Sequence, residues 1–502
     1  MNNTIRPRAA LVLLAFVGGG ASPLTRAERT NYTETSHYED VIAFLDTLKT
    51  RIDPSVHAVF GTLGYTTDRR ASPFVKLSRG LPKRKPIVYV QANIHAGEVE
   101  GKEALLALIR DLGTHHGPSV LDSITLIAVP IYNADGNEKF APQSVNRTEQ
   151  NGPEQVGQRP NGMGLDLNRD YIKAEAPETR ASLFAFNTWH PDVFVDLHTT
   201  DGSFHGYALT YAPSLSPASL WAGAYTRDSL LPELRRRVAQ RDGFAIFDYG
   251  NFEGQPRAWK TYDNRPRFGT NYFGIRGGIA ILSEAYSHDP FEKRVHATYA
   301  FVREILSLVA EKKSRIIRLP DPKADSVPIR SALMTTPLTL PVVAESLMAT
   351  GDSSMTQPGV PRGYRRAGHF DTVTMNVYDR FTPTLEVPMP RGYVVPANQT
   401  VAVRLLRWHG IEMTGPQATC GPAQAFALDS ATQDTVVFQG HRQAHQFGHW
   451  STAADPVQGP CYEVSTHQRL GVLAVYLLEP QSDDGFVTWN IVSGTPIRRL
   501  AP

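Results

Sequence analysis

The stretch Pro86-Ile-Val-Tyr-Val-Gln-Ala-Asn-Ile94, followed at once by His95-Ala-Gly-Glu98 and by Gly97 to Leu112, decides the fold. Its first part is short, apolar and β-branched, whereas Ala104, Leu105, Leu108 and Ile109 recur at helical spacing. A strand therefore gives way to a helix, with a histidine and a carboxylate at the junction. The strand signal repeats at Ile124 to Tyr132, Asp192 to Leu197, Phe244 to Tyr249 and Gly278 to Glu284. Helical stretches fall at Pro177 to Trp189, Ser216 to Gln240 and Phe291 to Glu311. Such alternation predicts an α/β domain with a mixed, mostly parallel central sheet flanked by helices.

Outward from this core the composition changes. Residues 1–27 read as a secretory signal: Arg6 and Arg8 precede an apolar run from Ala9 to Val17, then small residues up to Ala27, which places cleavage between Ala21 and Ala27. The α/β domain is assigned to residues 28–318. Leu319 to Pro328 is a Pro- and Asp-rich linker, and residues 329–502, where Val, Thr and Pro dominate, form a smaller β-rich domain. Within that domain the polar stretch Gly351 to Gly368 is expected to be an exposed, mobile loop.

Charge and cysteine content narrow the function further. Lys plus Arg number 51 against 49 Asp plus Glu, so no excess charge drives binding to nucleic acid. No segment after the signal is long and apolar enough to insert in a membrane. The only cysteines, Cys420 and Cys461, pair as a disulfide across a loop of about 40 residues in an exported chain, or stay as two buried thiols. There is no Gly-x-Ser-x-Gly elbow and no His-Glu-x-x-His helix, and Gly97 to Lys102 is too short for a phosphate loop.

His95 and Glu98, three apart and joined through a glycine, can aim a nitrogen and an oxygen at one cation. Alone the pair is weak, since His37 with Asp40 and His198 with Asp201 share its spacing. Its companions make it specific. His198 follows the strand Asp192 to Leu197, at the carboxyl end where open α/β sheets hold their sites. Between the two lies Gly164-Leu-Asp-Leu-Asn-Arg-Asp170, and Glu284 ends an apolar strand, a costly place for a carboxylate without a task.

This ordered set, His-x-x-Glu, Asn-Arg, His and Glu, resembles the zinc metallocarboxypeptidases of the carboxypeptidase A and B type over residues 28–313. The resemblance implies that His95, Glu98 and His198 hold Zn²⁺ and that Asp166 orients the first zinc histidine. It also implies that Asn168 and Arg169 bind the substrate's terminal carboxylate, with Glu284 as general base. For the carbonyl-polarising arginine the intervening length favours Arg147 over Arg159, and for the mobile tyrosine Tyr262 fits better than Tyr272. Two neutral imidazoles and one carboxylate would leave Zn²⁺ an open position and a bound water of pKa about 7.

The implied function is an exported, secreted or periplasmic zinc peptidase that releases C-terminal residues from peptides. Two other readings accompany it: a zinc amidohydrolase acting on cell-wall peptides or acylated amino acids, and a non-catalytic zinc-containing binding protein. A second histidine group, His441, His445 and His449, is spaced by four, but its Gly, Thr and Val surroundings argue for strand and loop rather than a metal-binding helix. His205, just beyond His198, is a candidate to line the pocket or to sit in a turn.

Overall fold

A computed structural model describes residues 22–80, 84–319 and 324–500 of the chain. Residues 1–21 of the expected signal, and residues 320–323 of the expected linker, lie outside them.

Eight strands form the central sheet: β1 (Val56–Tyr65), β2 (Ala71–Arg79), β3 (Ile87–Ala92), β4 (Thr125–Val129), β5 (Val193–Thr199), β6 (Leu209–Pro213), β7 (Ile246–Asp248) and β8 (Ile279–Ala285). Their order is β1-β2-β4-β3-β5-β8-β6-β7. The middle strands β4, β3, β5 and β8 run parallel, as the strand-helix alternation predicts. Antiparallel pairs flank them: β1 with β2, β2 with β4, and β8 with β6. The β1–β2 hairpin and β6 escaped the sequence reading. Exposed positions interrupt the apolar pattern of β1, and β6 is a short strand of five residues.

Parallel strands are covered on both faces, which is why β3 and β5 read as unbroken apolar runs. One face carries helix Tyr38–Lys49, helix α1 (Glu100–Thr114), helix Leu231–Asp242 and helix Phe291–Glu311, packed through Leu105, Ile109, Val238, Phe301 and Ile305. Close approach is built in at Gly101, where a Cβ would lie 2.8 Å from Leu197 Cβ. The span Ser216 to Gln240, expected as one helix, opens with a separate turn at Pro217–Ser219 and then runs without interruption from Leu220–Tyr225 through the wider turn Thr226–Leu230 into Leu231–Asp242. Pro217 sits in the first turn of its segment, where a missing N–H costs nothing, and Pro232 follows directly on the wider turn Thr226–Leu230.

The opposite face meets helix α2 (Pro177–Trp189) and then the C-terminal region. One apolar cluster runs from Tyr89 and Phe194 of the sheet, through Phe186 of α2, to Leu406, Leu473 and Trp489. Each such buried side chain contributes roughly 1.5–3 kcal/mol, so the C-terminal region shares a core with the sheet.

That region holds two hairpins. Strand Leu338–Ala349 pairs with Tyr364–Tyr378, and the stretch expected as a mobile loop is the turn between them, with Tyr364 to Gly368 already in the second strand. Strands Thr414–Gln433 and Ala444–Ser465 pair along a long hairpin, closed into a small barrel by Gly392–Pro396 and Arg498–Leu500. Cys420 and Cys461 are joined across it as a disulfide. Helix Gly471–Leu478 is buried at every position. Being apolar all round, it has no period to distinguish it from a strand, which is why a β-rich reading missed it.

Candidate active site

Strand register brings the candidate residues together. Gln91 of β3 pairs with Asp196 of β5, and His198 of β5 with Glu284 of β8. His198 and Glu284 therefore stand on neighbouring parallel strands at their carboxyl ends. His95 enters from the turn after β3, where Asn93 adopts φ 66°. Gly97 is required next: a Cβ there would lie 2.7 Å from Arg147 Cγ and 2.9 Å from Gly157 O.

Among the described residues, His95, Glu98 and His198 are the only group of three or more His, Cys, Asp or Glu side chains able to share a metal ion. His95 Nδ1 lies 3.0 Å from Glu98 Oε1, His198 Nδ1 lies 2.9 Å from Glu98 Oε2, and the two Nδ1 atoms are 3.2 Å apart. A tetrahedral ion with bonds of 2.0–2.1 Å needs its ligands about 3.3 Å apart, so these donors match a Zn²⁺-sized ion. The other nitrogen of His95, Nε2, lies 3.0 Å from Asp166 Oδ1. With the proton on Nε2, the Nδ1 lone pair faces a carboxylate, an arrangement that is repulsive without a cation between them. His198 Nε2 lies 3.1 Å from Asp196 Oδ2.

Burial works against the charge on Glu98, yet His95 and Arg147 hold it well below the ordinary carboxylate range. Glu284 is the opposite case. Burial pushes its carboxyl well above the usual range, with Glu98 and Asp201 adding to the shift against His198 and Arg147.

The cleft over this cluster is lined by His95, Glu98, His198, Asn168, Arg169 and Glu284, together with Arg159 and Tyr262. Arg169 lays its guanidinium on the Phe268 ring at 3.9 Å and donates to Asn168 O at 2.8 Å. Asn168 Oδ1 accepts the Gly269 N–H at 2.9 Å, which fixes its amide. Tyr262 is stacked edge-on against Tyr249 and Phe268, with Thr270 beside its hydroxyl.

The two arginines are distributed differently from the expectation drawn from chain length. Arg147, the favoured candidate, does not line the cleft. It is buried behind Glu98, with Nη1 3.1 Å from Glu98 Oε1 and 3.0 Å from Glu149 Oε1, and Nη2 donating to the carbonyls of Thr199 and Thr200. Arg159 faces the cleft, held by Asp166 at 2.9 Å. Tyr272, the alternative to Tyr262, is buried elsewhere and bonds His409.

Asp201, Tyr249, Phe268, Thr270 and Leu282 also line the cleft and were not singled out from sequence. Of these, Asp201 repeated the His-x-x-acid spacing with His198, the one signal that pointed to it. His205 is fully buried, with its ring 4.2 Å from that of Tyr286, and lies outside the cleft. His441, His445 and His449 pair separately with Glu175, Asp434 and Asp429.

Fold and site together define a hydrolase of the metallopeptidase type, with its centre in the crevice at the carboxyl ends of parallel strands. Residues 41–219 match the zinc carboxypeptidase family, Peptidase_M14. It is similar to carboxypeptidase 2 of Trichophyton rubrum, at 21% identity over 82% of this chain and 74% of the relative. Carboxypeptidase 2 of Trichophyton tonsurans is 22% identical over 81% and 74%. Among solved structures, a metallo-carboxypeptidase from Burkholderia cenocepacia aligns over 55% of this chain and 69% of its own, at 22% identity and a TM-score of 0.41. No helix among the described residues is long and apolar enough to cross a membrane.

Proposed function

We propose that this protein is an exported zinc carboxypeptidase that removes residues from the C-termini of peptides. The observation carrying the proposal is the convergence, in one cleft, of three metal-type donors, the Glu284 carboxylate and an Asn-Arg pair. His95, Glu98 and His198 would hold the ion, whose chemistry when bound is to lower the pKa of water and polarise a carbonyl.

The chain's own side chains supply the rest. Arg169, its plane set by Phe268, presents a fork matched to a carboxylate. Asn168 stands beside it with its amide oxygen already engaged, leaving the NH₂ to donate. Glu284 takes a proton from water and passes it to the leaving amine. Arg159, facing the cleft, takes the charge-stabilising role first expected of Arg147. Tyr262, which lines the cleft, donates its hydroxyl to the bound peptide.

Export rests on the N-terminal sequence. Cleavage close to Ala21 is supported by the integration of residues 25–28 into the fold: Thr25 and Glu28 form a capping box for helix Arg26–Arg29, Arg110 pairs with Glu28 at 2.6 Å, and Ala27 is buried. N-terminal sequencing of the exported protein checks it.

The deciding experiment is a peptide-library digest read by mass with wild type and Glu284→Gln, using free-acid and C-terminally amidated peptides. Single-residue release from free acids only, abolished in the variant, is the expected result. Equal turnover of amides would remove the carboxylate role of Asn168 and Arg169, and undiminished turnover by Glu284→Gln would overturn the proposal.

A further inference from the structure

The long hairpin of strands Thr414–Gln433 and Ala444–Ser465 turns at residues 434–443, and the tip of that turn reaches the site. Gln439 Oε1 accepts the backbone N–H of Asp166 at 3.1 Å, across 273 positions of chain. Gln439 itself has φ 49°, a strained left-handed conformation that a non-glycine residue keeps only where its surroundings impose it. The surroundings are specific. His441 Nε2 pairs with Glu175 at 2.8 Å, and the Arg267 guanidinium lies 5.2 Å from the Phe438 ring centre. Buried Arg267 is in turn bound to Asp484 at 2.7 Å and to Gln443 at 2.7 Å.

The same side of the site is gripped again further along. Lys173 donates to Arg169 O at 2.8 Å and lies over the Trp489 ring at 4.2 Å. From Asp166 to Glu175, the segment that holds His95 and presents Asn168 and Arg169 is fixed by side chains from beyond residue 434. The Asp166 carboxylate is held by the Asn168 N–H at 2.9 Å and by Arg159 at 2.9 Å, and the Gln439 anchor on its amide fixes the backbone from which that carboxylate projects.

We infer that Gln439 is a positioning residue of the metal centre: by holding the Asp166 amide it aims the Asp166 carboxylate at His95 Nε2, and the C-terminal hairpin thereby completes a site built on the sheet. The inference rests on the metallopeptidase reading for the reaction, but not for the metal affinity that tests it.

The test uses the full-length protein. Zn²⁺ affinity is measured by competition with a chromophoric chelator, and kcat and KM are measured separately, for Gln439→Ala, Gln439→Gly and the exposed neighbour Val436→Ser. Outer partners of metal ligands commonly change affinity 10–100-fold; one step further out, both Gln439 variants should weaken Zn²⁺ binding about three- to tenfold and lower kcat more than KM. Gln439→Gly relieves the backbone strain, so the same loss in that variant, at undiminished thermal stability, separates positioning from misfolding. Val436→Ser should bind as wild type does. Wild-type Zn²⁺ affinity in both Gln439 variants would overturn the inference. Weakened affinity in a protein that releases no C-terminal residue would keep it and remove the carboxypeptidase reading instead.

Discussion

Asp166 Oδ1 stands 3.0 Å from His95 Nε2, so the outer nitrogen of that imidazole is engaged by a carboxylate and the inner one is left for an ion. A neutral substitute, Asp166→Asn, keeps the shape but removes the charge that makes His95 a basic ligand. Metal affinity should fall about 10–100-fold, read by chelator competition. An unchanged dissociation constant would show that the contact does not tune the ligand.

The two arginines should separate by readout. Arg159 is partly exposed and faces the cleft, so Arg159→Ala should lower kcat by about 10²–10³, the usual cost of one oxyanion donor, with little change in unfolding. Arg147 is buried against Glu98, and deleting one partner of a buried pair costs about 3–5 kcal/mol. Arg147→Ala should therefore appear first in urea unfolding. The reverse pattern would return the catalytic role to Arg147.

How much of this was legible from the sequence depends on whether one stretch of chain contains the reason. His95 and Glu98 sit within four residues, and His198 and Glu284 each end an apolar strand, so composition and position marked them. Parallel pairing then did what alternation foretold, setting Glu284 beside His198. Chain length favoured Arg147 but says nothing about which side of Glu98 a loop passes, and Arg147 lies behind that carboxylate while Arg159 lines the cleft. Gln439 had no local mark at all, since it acts through a turn 273 residues from its partner, and Asp201 had only a spacing to His198 that chance also produces elsewhere in the chain. Helix Gly471–Leu478 and the β1–β2 hairpin were hidden by patterns without a usable period.

The disulfide should carry weight in the hairpin that bears Gln439. Cys420 and Cys461 are 41 residues apart, for which the loop-entropy relation gives roughly 4 kcal/mol. Cys420→Ser with Cys461→Ser should lower stability by up to that amount in chemical denaturation. Amide exchange should rise first in the hairpin rather than in the central sheet. Uniform loosening of the whole chain would instead mean that the hairpin and sheet unfold as one unit.

Glu178 supplies a pH dependence remote from the metal. It lies in the first turn of α2 and is almost wholly buried, with Oε2 accepting from Asn161 Nδ2 at 3.1 Å and Oε1 unpartnered. Burial, reinforced by Asp135 and Asp170, raises its pKa to about 7 from 4.5. The folded state thus holds a proton that the unfolded chain releases between those values. Stability present below pH 4.5 is lost as pH rises through 7, by about 3 kcal/mol at 1.36 kcal/mol per pKa unit. Glu178→Gln, which keeps the donor-facing oxygen but cannot ionise, should match wild type near pH 4.5 and exceed it by about 2–3 kcal/mol at pH 8. Urea unfolding at the two pH values measures the difference. Parallel stability curves for the two proteins across that range would mean that Glu178 ionises in the folded state as readily as in the unfolded one.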